Sequence, residues 1–174
     1  MSHLHNPLIT KRLHEKATIV SDTFEVVLAD QPIPASGNIL VHLEVWISEE
    51  AELATRAKKG ELGVYLEPDD NPDLLATHCI NLAVIGFHFP AFKFGQAYSG
   101  GVLLRTRYNY QGEIRAFGDV GRDQLFYLSR CGFTQFKLKE GKSYEDALAG
   151  FDDFSTPYQT SADGNLPVFT RRIA

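Results

Sequence analysis

The stretch Gly112–Phe133, GEIRAFGDVGRDQLFYLSRCGF, decides the fold. Glu113–Phe117 (EIRAF) reads as a strand. Gly118-Asp119 turns the chain into a helix predicted over Val120–Cys131, which Gly132 stops. A helix closed by a glycine with an apolar residue beyond it is a common C-terminal cap. Phe133–Leu138 (FTQFKL) then reads as the next strand, so the stretch is one β–α–β step.

The same rhythm extends in both directions. Upstream, Ile39–Ile47 (ILVHLEVWI) is a nearly continuous apolar run, as expected of a buried strand, with His42 and Glu44 on one face. Ser48 and the acids after it start a predicted helix that runs to Lys59 and stops at Gly60. Leu62–Leu66 (LGVYL) is a short strand, and Glu67–Asp70 a turn. Asn71-Pro72 supplies cap and first residue for a helix predicted through about Cys79. Leu82–Phe89 (LAVIGFHF) is another strand, ended by Pro90, and Gln96–Arg107 a helix weakened by Gly100-Gly101. Downstream, Ser143 caps a short helix. Before Ile39, Ala17–Asp30 is rich in β-branched residues with a polar interruption at Ser21–Thr23.

Alternating strands and helices argue for right-handed crossovers. The expectation is one α/β domain of repeated βα units with a mainly parallel sheet. An eight-fold barrel needs about 250 residues, so the sheet is open or half-barrel-like. It is preceded by an N-terminal β arm and loop (1–37), spans a βα core (38–151) and leaves an irregular tail (152–174). His3 and His5 belong to the arm. Exposed sheet edges give a mild expectation of a homodimer.

The chain has 174 residues and a net charge of -5, which argues against nucleic-acid binding. It has no apolar run long enough to span a membrane and no signal-peptide core. Two cysteines, Cys79 and Cys131, cannot complete a four-thiolate site. A cytoplasmic protein with reduced thiols is therefore expected.

In parallel α/β folds, ligands bind beyond the carboxyl ends of the strands. That rule selects Glu67, Asp69 and Asp70 after LGVYL, His88 after LAVIGF, Asp119 after EIRAF, and Lys139 and Glu140 after FTQFKL. Glu67, His88 and Asp119 could form a divalent-metal set, against the plainer reading of turn, core histidine and helix cap. A second group is richer in charge: Arg105, Arg115, Asp119, Arg122 and Asp123, with Gln124. Arg115 inside a strand needs a partner, and Asp119 or Asp123 is the natural one by proximity. Gly118, Arg122, Gln124 and Arg105 make a candidate oxyanion cradle at a helix N-terminus. The competing reading is an internal Arg–Asp lock. If the protein is an enzyme, Arg115, Asp119, Arg122 and Asp123 are its catalytic candidates. Phe87, Phe89, Phe92, Phe94 and Tyr98 surround one loop, as packing or as a lid. Cys131 reads as a buried structural thiol.

FPAF (Phe89–Phe92), Gly95, Tyr98-Ser99, Leu103–Arg105, GEIRAFGDV, RDQLFYL and RCGF together resemble an uncharacterised bacterial family, domain of unknown function nine-three-four. The resemblance covers most of Leu62–Leu138. Members of that family are often encoded beside sulfite reductase and are sometimes labelled oxidoreductases. It implies an accessory role in assimilatory sulfate and sulfite reduction, through binding an oxyanion or docking to sulfite reductase. The alternative is a small-molecule enzyme, an oxidoreductase or metal-dependent, with its site at the strand ends. No nicotinamide, flavin, haem or iron–sulfur motif accompanies the label, so no cofactor is assigned. The family pattern has Asp-Gly-Arg where this chain has Phe94-Gly95-Gln96, and a bulky apolar residue where it has Gly121.

Overall fold

The computed structural model describes residues 6–28, 30–77, 79–91, 95–153 and 161–163. Among these residues there are eight strands: β1 Pro7–Thr10, β2 Thr18–Ser21, β3 Phe24–Val27, β4 Asn38–His42, β5 Leu62–Leu66, β6 Val84–Phe89, β7 Glu113–Gly118 and β8 Gln135–Phe136. The same residues hold four α-helices: α1 Leu43–Lys58, α2 Gln96–Thr106, α3 Arg122–Arg130 and α4 Tyr144–Leu148.

All strands form one sheet in the order β2-β1-β8-β7-β6-β5-β4-β3. From β3 to β8 each neighbour is parallel. β1 is antiparallel to both β2 and β8. The sheet is thus mixed, not mainly parallel as the sequence suggested. The expected N-terminal β segment is present, and it is built into the sheet as its outermost strands.

The two edge strands, β2 and β3, are separated in sequence only by Asp22 and Thr23. A three-residue step spans at most roughly 11 Å. The sheet therefore curls, in the manner of a half barrel, until its edges approach. Thr18–Val27 is one extended stretch whose first half pairs with β1 and whose second half pairs with β4. The polar interruption at Ser21–Thr23 is where the stretch changes partner.

Alternation along the strands divides the side chains between two faces. The outer face, with Ile39, Val41, Val64, Ile85, Phe87, Ile114, Ala116 and Phe136, packs against the helices in the main core. The inner face carries a second, smaller cluster of Leu40, Tyr65 and Val84, with Phe24, Val26 and Phe117 against it. Space inside is tight. A Cβ on Gly63 would fall 2.8 Å from Leu40 and 2.6 Å from the Val84 carbonyl.

Three local expectations give way. Leu43–Ile47 is helix, not strand: β4 ends at His42, whose side chain accepts a hydrogen bond from Glu44 N. The run LEVWI is apolar enough for either state, and burying Leu43 and Trp46 under β4 selects the helix. Ser48 then lies inside α1, where its hydroxyl bonds the Val45 carbonyl, and the helix kinks at Glu49. Asn71 does cap at Pro72, but the helix is two short 3₁₀ turns, Pro72–Leu75 and Cys79–Asn81. FTQFKL contributes only Gln135–Phe136 to the sheet. Phe92, Phe94 and most of the tail, with His3 and His5, lie outside the described residues.

Candidate functional site at the mouth of the curl

The inner face ends, at the carboxyl side of the strands, in a row of polar-tipped and aromatic residues. His42 closes β4 beside Tyr65 of β5. His88 of β6 pairs in register with Phe117 of β7. Glu67 and Asp70 sit in the turn just beyond β5.

Two hydrogen-bonded pairs connect through this turn. His42 Nε2 lies 2.9 Å from Asp70 Oδ2, and the same oxygen accepts from the Glu67 backbone N–H at 2.7 Å. The Glu67 carboxylate, held by its own backbone, lies 2.9 Å from His88 Nδ1 through both oxygens. His88 stacks on Phe117 with centroids 5.0 Å apart, and Tyr65 meets the same ring edge-on at 5.6 Å. His88 and Glu67 are partly open to solvent, while His42 is nearly closed off.

A carboxylate on Nδ1 fixes the imidazole tautomer and leaves Nε2 as an acceptor. Among the described residues, His88 Nε2 makes no hydrogen bond. Tyr65 is pushed above the ordinary phenol range, first by burial and then by the charges of Glu67, Asp70 and Asp30. It therefore stays protonated at neutral pH. The mouth thus joins an imidazole to the carboxylate that orients it, the components of acid–base chemistry.

Glu67 and His88, selected from the sequence, do come together. Asp119 does not join them, because its carboxylate lies 2.9 Å from Lys139 Nζ. No group of three or more metal-ligating side chains is placed to hold an ion among the described residues.

The charged group around α3 resolves into separate locks. Arg115 pairs with neither Asp119 nor Asp123. Its NH2 lies 2.9 Å from Asp22 Oδ1, its Nε donates to Gln135 at 2.9 Å, and Phe24 covers the guanidinium. Arg115 faces the interior of the curl, whereas Asp119 and Asp123 stand beyond the strand end. Arg122 pairs with Asp153 at 2.7 Å. Gln124 is buried and accepts from the Gly121 N–H at 2.8 Å, so Gly121, not Asp119, precedes the helix. Arg105 lies elsewhere, donating to the carbonyls of Tyr110, Gly112 and Gly132. The candidate cradle of Gly118, Arg122, Gln124 and Arg105 is therefore not assembled around one point.

Gly118 has a different task. Its φ of +101° is a glycine conformation, and a Cβ there would fall 2.4 Å from Phe89 O and 3.0 Å from His88 Nε2. Cys131 is raised above the usual thiol range by burial, as befits a structural thiol.

Asp70 was selected by the strand-end rule, but its clasp on His42, and the places of Tyr65 and Phe117, were not singled out by sequence reasoning. A signal was available. Each of the strands ILVH, LGVYL, IGFHF and EIRAF carries one polar-tipped or aromatic residue near its carboxyl end on the inward parity.

No helix among the described residues is long and apolar enough to cross a membrane. No curated protein and no solved structure matches the chain. A family model described as a bacterial protein of unknown function (DUF934) matches residues 63–169, which hold Tyr65, Glu67, Asp70, His88 and Phe117. The chain is a member of that family.

Proposed function

We propose that this protein serves assimilatory sulfate and sulfite reduction as a small-molecule accessory, and that its ligand seats at the mouth of the curl against His88. The observation that carries the site is the Glu67–His88 pair at 2.9 Å, which leaves His88 Nε2 without a hydrogen bond among the described residues. Family resemblance supplies the metabolic setting. His88 Nε2 accepts a proton or hydrogen bond from the ligand, and Glu67 stabilises the imidazolium that forms. Asp70 holds the turn that places Glu67. Such a pair also supports the enzyme reading, with proton transfer as the reaction class.

The test is complementation of a deletion strain on sulfate as sole sulfur source, with cysteine as the permissive control. The strain carrying His88→Asn is expected to grow on cysteine and to fail on sulfate. Full growth of that variant on sulfate overturns the site. Recovery of sulfite reductase with the tagged chain supports a docking role in addition. Its absence under the same growth condition counts against docking.

A further inference from the structure

The opposite end of the sheet carries a second hollow. At the amino ends of β7 and β8 a cavity of about 490 Å³ is bordered by Lys11, Arg12, Arg105 and Arg130, with Phe126 and Phe151 in its wall. Cavities of roughly 300–1,000 Å³ suit small ligands.

Charge is unbalanced there. Among the described residues, four cations face two carboxylates, Glu113 and Asp163. Arg12 is bonded to Glu113, its Nε at 3.1 Å, and Arg130 Nε lies 2.9 Å from Asp163. Arg105 and Lys11 have no carboxylate partner among the described residues. Arg105 is a half-buried guanidinium bonded only to carbonyl oxygens, at 2.6–3.0 Å. Burial lowers its pKa, and the nearby charge of Glu113 only partly offsets that effect. Lys11 Nζ meets the Glu15 carbonyl at 3.5 Å and lies 5.8 Å from the Phe151 centroid. Carbonyl dipoles satisfy the N–H groups and leave the net charge in place. The mouth at the other end has the reverse character, with Glu67, Asp69 and Asp70.

We propose that this amino-end cavity binds a small organic phosphate or sulfate, its anionic head between Lys11 and Arg12 above Arg105 and its apolar body along Phe126 and Phe151. The anion supplies the counter-charge that Arg105 and Lys11 lack. The site is independent of the His88 mouth.

Calorimetric titration of the full chain at low salt tests this, with phenyl phosphate, phenol and inorganic phosphate as probes. Phenyl phosphate is expected to bind at least tenfold more tightly than either of the others. The pair Lys11→Gln/Arg12→Gln is expected to weaken it by tenfold or more, with Lys11→Gln alone intermediate. Equal binding of phenol, or unchanged affinity in the Lys11→Gln chain and in the pair, overturns the proposal. Equal binding of inorganic phosphate overturns the apolar part of the ligand class. Growth of the His88→Asn strain bears only on the mouth.

Discussion

Arg115 of β7 reaches across the interior of the curl to Asp22, the residue at which the seam stretch changes partner, with NH2 2.9 Å from Oδ1 and the guanidinium 2% exposed. Lys137 Nζ stands 3.7 Å from the other Asp22 oxygen. The pair therefore ties the middle of the sheet to its own edge. Removing one partner of a buried ion pair leaves an uncompensated charge, at a cost of about 3–5 kcal/mol. Asp22→Ala is expected to lose that much in urea unfolding. Asp22→Leu with Arg115→Met, which removes both charges, is expected to lose less than Asp22→Ala alone.

The turn at Gly118 holds His88 in place. Gly118→Ala forces a Cβ against Phe89 O and the His88 ring, and backbone strain of this kind costs about 1–3 kcal/mol. A lowered Tm with displaced His88 ring resonances is the expected outcome. An unchanged His88 signal would separate the turn from the site.

The tautomer of His88 depends on Glu67. In the unaltered chain the carboxylate lies 2.9 Å from Nδ1 and favours the tautomer with its proton there. Glu67→Gln is expected to lower the Nδ1–H fraction, as read from ¹⁵N-edited imidazole spectra. His42, held by Asp70, serves as the internal control.

Alkaline stability rests in part on Tyr110. Its ring is buried and its hydroxyl donates to the Leu82 carbonyl at 3.1 Å. Burial drives its pKa far above that of a free phenol. Folding therefore favours the protonated form. The stabilisation is complete below the unfolded value of about 10 and is lost as pH rises through the folded one. Tyr110→Phe is expected to cost about 1 kcal/mol at pH 7 and to flatten the decline in unfolding free energy above pH 10.

Local chemistry was legible in the sequence where one residue decides. Asn71 and Ser143 cap where they were expected, and Gly132 ends α3 with a φ of +94°. Glu67 and His88 were found because the strand-end rule needs only strand ends. The partner of Arg115 was not legible. Asp22 is remote in sequence, and only the curl brings it inside. Antiparallel β1 was hidden for the same reason, since nothing in PLIT specifies pairing with Gln135–Phe136. The start of α1 was missed because LEVWI satisfies strand and helix patterns alike, and the packing of Leu43 and Trp46 decides.

The placement of β1 has a consequence for synthesis. Ile9 pairs with Phe136, so β1 leaves the ribosome well before the strand that pairs with it. At bacterial elongation rates of about 5–20 residues per second, the wait is on the order of ten seconds. Through it, β1 and β2 persist as an unsupported hairpin with an open edge, the condition that favours intermolecular pairing. A nascent chain stalled before Gln135 keeps this hairpin unpaired, and chaperone engagement is expected to concentrate in that interval.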